Sequence, residues 1–178
     1  MFRLSTSQIS RIGLFTALTI IMSQISIPMP YGVPMTMQTF IIPLVAFLLG
    51  KKEGVYVSII YLLLGMIGIP VFAGFSGGLG IILGPTGGFI LSFPLMAYFS
   101  GVATEREKNY QVITWLTLGA IVNYLVGMLY FSMVTSNSLS VAFTACVLPF
   151  IPTAIIKIGL VYFCGKKLRL LTVKRVNG

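Results

Sequence analysis

The chain has 178 residues, of which 57% are hydrophobic and only 8% are charged, and its mean hydropathy is +1.00. Soluble domains carry about 25% charged residues, so this composition indicates an integral membrane protein with a single domain spanning residues 1–178. The sequence has three acidic residues and no His, which excludes Ser-His-Asp catalysis, paired carboxylates and most metal sites. We therefore predict no catalytic residue, no metal and no cofactor.

Six apolar segments are predicted to be membrane helices, which makes the expected fold an all-α bundle. In chain order they are residues 12–27, 35–50, 54–69, 87–102, 112–134 and 152–171. Most of them are shorter than the ~20 residues that span a bilayer. Flanking residues, or part of the connecting backbone, must therefore also enter the membrane.

Basic residues occupy alternate links between these segments. They precede the first segment, separate the second from the third and the fourth from the fifth, and follow the sixth: Arg3, Arg11, Lys51, Lys52, Arg106, Lys108, Lys166, Lys167, Arg169, Lys174 and Arg175. The other three links (28–34, 70–86 and 135–151) contain no charged residue. Because Lys and Arg collect in cytoplasmic loops, the pattern predicts a multi-pass protein of the cell membrane with both termini in the cytoplasm. It also accounts for the net charge of +9 without a nucleic-acid partner.

The three uncharged links are expected to lie on the outer side and to cap a pocket that opens outward. They are apolar or neutral, and the 71–88 link is rich in Gly. Irregular backbone at membrane depth is tolerated where it is buried in protein or lines a cavity. The alternative interpretation of these glycines is close packing between helices.

Lys157 is the one charged residue inside a predicted span. Such a charge costs at least ~2.5–3.5 kcal/mol at the centre of an inserted helix. Lys157 follows Pro152 by five residues, which places it about 7–8 Å below the outer end of the last helix. The outer links contain no acidic residue to pair with it. We therefore predict that it binds the carboxylate of a ligand; the alternatives are a lysine that reaches lipid phosphate or a neutral lysine bonded to carbonyls.

Other polar and small residues are candidates for contacts with the ligand or with a partner. Gln38 and Thr86 adjoin the outer links, and Asn123 lies inside the fifth segment. Each is expected to bind the polar end of the ligand, although a single polar residue in a span ordinarily makes an interhelical hydrogen bond. The 71–88 link, with Gly74 and Phe75, is expected to close over the ligand's apolar part.

The first segment contains small residues four positions apart. Gly13 and Ala17 give this small-xxx-small spacing, which lets another helix approach closely. Packing within the chain is the alternative interpretation.

Three motifs resemble the BioY family, the biotin-binding S components of energy-coupling factor (ECF) transporters. They are the sequence Pro-Met-Thr-Met-Gln-Thr-Phe at 34–40, the run at 61–75, and Gly-Pro-Thr-Gly-Gly at 84–88. The resemblance implies a six-helix subunit that captures biotin and is not itself an enzyme. It also implies a transmembrane coupling protein, which docks on Gly13 and Ala17, and two cytoplasmic ATPases.

One position departs from the family pattern. The last helix of the family usually carries Asp-x-x-Lys, and the matching positions here are Ala154 and Lys157. Lys157 is present and can bind the carboxylate end of the ligand. The Asp that would accept hydrogen bonds from the ureido ring of biotin is replaced by Ala154. A related acid such as lipoate is therefore the alternative ligand, and a structural or channel-like membrane protein is a more distant alternative.

Overall fold

The computed structural model describes residues 4–176, with side chains described up to Arg169. Arg3 and the side chains of Lys174 and Arg175, used above for the charge pattern, lie outside the described residues. The described helices are α1 (Thr6–Ser23), α2 (Gln38–Leu49), α3 (Lys51–Met66), α4 (Leu79–Ile82), α5 (Gly87–Leu91), α6 (Phe93–Val102), α7 (Asn109–Thr135), α8 (Leu139–Cys146) and α9 (Ile151–Val176). Two short strands, β1 (Ser26–Ile27) and β2 (Met35–Thr36), pair antiparallel, and short 3₁₀ turns cover Pro30–Gly32, Ala103–Glu105 and Leu148–Phe150.

The prediction of a mainly helical chain is confirmed, but several details differ. Helices α1 and α3 begin and end earlier than the predicted segments 12–27 and 54–69, and the short α4 lies inside the predicted 70–86 link. The predicted segment 87–102 is divided into α5 and α6 at Ser92. Pro94 lies in the first turn of α6 and has no N–H to continue the preceding helix. The 135–151 link contains the helix α8, and the first outer link is framed by β1 and β2. The outer links are therefore more ordered than their Gly and Pro content indicates.

Two stretches of the described chain are long and apolar enough to cross a membrane, Asn109–Thr135 and Leu139–Arg169. This criterion rests on length and composition, and α2 is apolar but shorter. The arrangement of six membrane spans stays a prediction.

The ends of the first helices follow from local chemistry. Ser5 caps α1: its hydroxyl accepts from the Gln8 N–H, and the Gln8 side chain accepts from the Ser5 N–H, a capping box. A single residue, Gly50, separates α2 from α3 and has φ +86°, a conformation that favours glycine. This sharp turn brings α2 and α3 side by side.

The core lies where α6 packs against α2, α3 and α7. Its largest fully buried side chains include Tyr61, Phe47, Phe72 and Phe93. Many large apolar residues face outward instead, among them Leu14, Ile67 and Phe163, which are 68%, 74% and 71% exposed. An apolar exterior of this extent marks a surface that meets a membrane or a partner.

Charged side chains from distant parts of the sequence meet at one end of the bundle. Arg11 and Glu53 form an ion pair at 2.8 Å, and Lys51 and Glu105 form another at 2.9 Å. Arg169 donates to the backbone O of Thr104 at 3.2 Å. These contacts join α1, α3, the link after α6 and the far end of α9, so the predicted cytoplasmic residues share one end of the molecule. Hydrogen bonding to Glu53 raises the pKa of Arg11.

Candidate functional site

A cavity of about 240 Å³ lies between the helices and beneath the uncharged links. Its walls come from the 32–39 segment, the 72–76 turn, the region from α4 to α6, and the last three helices. The lining residues are Gly32, Val33, Pro34, Thr36, Gln38, Thr39, Phe72, Ala73, Ser76, Ile81, Thr86, Phe89, Ile90, Phe93, Tyr124, Cys146, Phe150 and Lys157. A mostly apolar cavity with a few convergent polar groups is the usual form of a small-molecule site.

Lys157 lies in this cavity wall and is only 9% exposed. Its Nζ donates to the Thr36 backbone O at 2.7 Å and to the Thr39 Oγ1 at 2.9 Å. An ammonium has three donors, so one N–H is left for a ligand. The cavity lining contains no acidic residue, and a buried charge requires a partner of opposite sign. An anionic ligand would supply that partner.

Gln38 lines the cavity at the start of α2, and its amide is held from two sides. Its Nε2 donates to the Tyr61 hydroxyl at 2.7 Å, and its Oε1 accepts from the Thr36 Oγ1 at 2.9 Å. The Tyr61 hydroxyl in turn donates to the backbone O of Val71 at 3.0 Å. The amide is therefore oriented before any ligand binds, with one N–H still free by count.

Two hydroxyl groups of the cavity wall have no protein hydrogen-bond partner within the described part of the chain. They belong to Thr86, at the start of α5, and to Tyr124, in the middle of α7. Each can donate and accept. Neither hydroxyl is committed to a protein bond among the described residues, and Tyr124 lines the second crevice as well as this cavity.

Asn123 is next to Tyr124 in the sequence but lies behind the cavity wall. It is fully buried, and its Nδ2 donates to the Phe89 backbone O at 2.9 Å and to the Ser92 Oγ at 2.8 Å. Its amide thus stabilises the break between α5 and α6. Sequence reasoning identified Asn123 and did not select Tyr124, because α7 is apolar on all sides and its pattern does not show which face meets the cavity.

Gly74 and Phe75 occupy the tip of the 72–76 turn and are not part of the cavity lining. Both have positive φ, +70° and +55°, and the Phe75 side chain is 73% exposed. Phe72, Ala73 and Ser76 face the cavity instead. The turn therefore contributes to the cavity wall through the residues on either side of its tip, and its closure over a ligand stays a prediction.

The remaining sequence-selected residues lie away from the cavity. Ala154 lines a second, almost wholly apolar crevice of about 310 Å³ between α7, α8 and α9. Gly13 and Ala17 lie on the exposed face of α1. A Cβ added to Gly13 would meet no atom within 4 Å. The α1 face is thus open to a partner, whereas Ala154 does not contact the cavity.

The chain is similar to proteins of one family in sequence and in structure. A family model described as the BioY family matches residues 1–173. A protein of Pyrococcus horikoshii described as a probable biotin transporter BioY is 37% identical over 166 residues, which are 93% of this chain and 98% of that one. The biotin transporter BioY of Thermotoga maritima is 33% identical over 175 residues, 94% of this chain and 99% of the relative.

A solved structure also matches the fold. It is described as the S-component for biotin from an ECF-type ABC transporter, and it superposes with a TM-score of 0.85 at 26% identity. The match covers 94% of this chain and 95% of the other. The described helices and cavity thus belong to a fold already observed for a biotin-binding subunit.

Proposed function

Because the chain belongs to the BioY family, we propose that it captures biotin outside the cell as the S component of an ECF-type transporter. It is then a multi-pass protein of the cell membrane and a transport subunit, not an enzyme. The observation that carries the proposal is Lys157, a buried ammonium with one unfilled donor in a cavity whose lining has no acidic residue.

The membrane arrangement follows from the helices and the charges. One domain of six spans is formed by α1, α2, α3, the broken helix α5–α6, α7 and α9. The end that carries the Arg11–Glu53 and Lys51–Glu105 pairs is the proposed cytoplasmic end, because Lys and Arg collect on that side of a membrane. The cavity, which draws its lining from the uncharged links, then opens to the outside.

Lys157 is the proposed partner of the ligand's carboxylate. Its bonds to Thr36 O and Thr39 Oγ1 fix the direction of the remaining N–H. A hydrogen bond between an ammonium and a carboxylate is roughly twice as strong as one between neutral groups. Attraction in this buried, apolar setting is therefore the main source of affinity for an acid over its uncharged ester.

The polar ring of the ligand is proposed to meet the side chains of Gln38 and Thr86, together with Tyr124, which sequence reasoning did not select. The ureido group of biotin offers two N–H donors and a carbonyl acceptor. Hydroxyl and amide side chains can accept hydrogen bonds from the N–H groups and donate one to the carbonyl. Aromatic side chains of the wall, such as Phe72 and Phe89, suit the sulfur-containing ring. The direct ligand contacts predicted for Gly74, Phe75 and Asn123 stay predictions, and the cavity lining does not include these residues.

A lipoate-like acid is the second candidate, favoured by one observation. Among the described residues, no acid lines the cavity to accept from ureido N–H groups, so a ligand that lacks these N–H groups leaves no donor unpaired against a missing carboxylate. Lys157 can bind the carboxylate of either acid. The relative affinity for biotin and lipoate therefore depends on the contacts made by their rings.

Transport requires partners that supply ATP hydrolysis. We propose that a transmembrane coupling protein docks on the open α1 face around Gly13 and Ala17, and that two cytoplasmic ATPases act through it. Small residues four apart let two membrane helices approach closely. The free space above Gly13 leaves room for such a helix.

The decisive experiment is calorimetric titration of the detergent-purified chain with biotin and, separately, with lipoate. We expect saturable binding of biotin by the parent chain and a loss of at least ~10-fold in affinity for Lys157→Met, since a hydrogen bond to a charged group contributes about 1.5–3 kcal/mol. Lys166→Met, in the same helix at the other end of the bundle, is the matched control and should bind as the parent does. Equal affinity in Lys157→Met would contradict the carboxylate role. Binding of lipoate alone would favour the second candidate.

A further inference from the structure

Gln24, which ends α1, connects that helix to the turn beside the cavity. Its Nε2 donates to the backbone O of Ile20 at 3.1 Å and to that of Val71 at 3.1 Å. Its Oε1 accepts from the Phe75 N–H at 2.8 Å. Both amide hydrogens and the carbonyl oxygen are therefore in use, and two of the three bonds cross to the 71–75 segment.

The turn that Gln24 holds is bonded internally at its two ends, and the Ser76 hydroxyl also donates to the Ala73 backbone O at 2.8 Å. Its ends are joined by Phe72 N–H to Ser76 O at 2.9 Å and Ser76 N–H to Phe72 O at 3.3 Å. Between them, Gly74 and Phe75 both have positive φ, and this conformation is unfavourable for a bulky residue such as Phe75. The Phe75 N–H finds its partner in Gln24. The side chain of Gln24 thus stabilises a turn conformation that the local sequence does not favour.

The same end of α1 is also bonded to the opposite cavity wall. β1 pairs with β2, and the Met37 N–H donates to the Ile25 backbone O at 3.0 Å. Residues 36–39 are therefore fixed to the chain directly after Gln24. Three of them, Thr36, Gln38 and Thr39, line the cavity, and two of these are the bond partners of Lys157. The helix end spans the gap between the 36–39 wall and the 72–76 turn.

We infer that Gln24 is a positioning residue for the ligand, which acts through the 71–76 segment. Its bonds to Val71 and Phe75 hold the turn beside the cavity, together with the Tyr61 hydroxyl, which also donates to Val71 O. Of these bonds, the one to the Phe75 N–H is the one that reaches the tip of the turn. The inference rests on the proposed ligand role of the cavity. The inference also predicts that loss of the Gln24 amide changes the rate of ligand exchange more than it changes the stability of the fold.

The chain contains a natural reporter for this movement. Cys146 lines the cavity and is fully buried, whereas Cys164 is exposed. In a Cys164→Ser background, Cys146 is the one thiol left, because the sequence has two Cys. Its rate of reaction with a charged, membrane-impermeant methanethiosulfonate therefore measures access to the cavity without any ligand.

We expect Gln24→Ala to raise the rate of Cys146 modification at least tenfold. Gln24→Glu keeps an acceptor for the Phe75 N–H but loses the donor to Val71, so its rate should lie between those of the parent and Gln24→Ala. Gln8→Ala is the matched control, because it removes a glutamine that hydrogen-bonds at the other end of α1. That control should leave the rate unchanged.

Two results would overturn the inference: a parental rate in Gln24→Ala, or an equal increase in Gln8→Ala, which would indicate general loosening of α1. Biotin dissociation from Gln24→Ala should also be at least fivefold faster than from the parent. If Gln24→Ala does not yield a monodisperse protein, Gln24→Glu tests the inference: its rate of Cys146 modification should exceed that of the parent, and a parental rate would overturn the inference. Failure of the parent to bind biotin would refute the proposed function while the labelling rates still decide the role of Gln24.

Discussion

Gln38 donates a 2.7 Å hydrogen bond from its side-chain amide to the hydroxyl of Tyr61, and that hydroxyl donates to Val71 O at 3.0 Å. Tyr61 is fully buried in α3. One phenol therefore connects the start of α2, where the cavity has its polar groups, to the beginning of the turn beside the cavity.

Tyr61→Phe is expected to lower the free energy of unfolding by about 1–3 kcal/mol, because Gln38 and Val71 each lose a partner in a buried setting. Thermal unfolding of the purified chain measures the effect. Tyr124→Phe is the matched control, since the Tyr124 hydroxyl has no protein partner among the described residues. It should change stability little while weakening the binding of biotin. Equal destabilisation by both variants would count against the buried connection.

Gly13→Leu is expected to abolish co-purification with the coupling protein and to leave biotin binding unchanged. Leucine is a good helix former, and a side chain at Gly13 meets open space within the chain, so the isolated subunit should fold normally. The clash arises only when another helix docks there. The measurement is co-purification after co-expression, paired with calorimetry.

Gly159→Leu is the control for this docking test, because Gly159 also has open space around it but lies in α9. Its complex should form as in the parent. If Gly159→Leu disrupts the complex and Gly13→Leu does not, the docking face lies on α9 and the assignment to α1 fails.

Gly65→Ala is expected to destabilise the chain by about 1–3 kcal/mol through overpacking and to weaken ligand binding. A Cβ at Gly65 would overlap the ring of Phe72, which is 1% exposed and packs edge-on against Tyr61 with ring centroids 5.5 Å apart. The ring must then shift toward the cavity that Phe72 lines. Gly159→Ala, with no atom to clash with, should be neutral or slightly stabilising in the same unfolding assay.

Ser100→Ala is expected to leave stability unchanged or to raise it. The hydroxyl of Ser100 is fully buried and, within the described chain, has no hydrogen-bond partner, so its removal eliminates an uncompensated desolvation penalty. Ser92→Ala is the opposite case. Its hydroxyl donates to the Phe89 O and accepts from the Asn123 amide, so its loss should cost about 1 kcal/mol. A larger loss for Ser100→Ala than for Ser92→Ala would show that the Ser100 hydroxyl has a partner in the membrane-embedded protein.

Lys157, Gln38 and Thr86 could be selected from the sequence because a charged or polar residue stands out in apolar surroundings. All three line the cavity. Tyr124 and Thr39 are also polar residues inside apolar segments, but the sequence does not distinguish them from residues that make ordinary interhelical hydrogen bonds. Tyr124 is amphipathic and fits an apolar run, and Thr39 acts through a side chain 118 residues away.

The arrangement of the helices was predictable from the sequence only where composition and charge placement determine it. The charged end of the bundle follows from the placement of Lys and Arg. The break at Ser92 has a local signal in Pro94. The buried Asn123 amide that bonds the backbone there comes from another helix, and such a tertiary contact is not visible in local sequence. The role of Gln24 is likewise not visible in the sequence, because it depends on hydrogen bonds to Val71 and Phe75, about 50 residues later.

The order of synthesis gives the cavity an additional property. Lys157 belongs to α9, which is synthesised after the other described helices, yet it bonds to Thr36, 121 residues earlier. Contacts of such long sequence separation form late, so a chain that has not inserted α9 has no anion site. Ligand binding by a newly made chain therefore reports complete insertion, and a truncated subunit that reaches the membrane would be unable to compete for the vitamin.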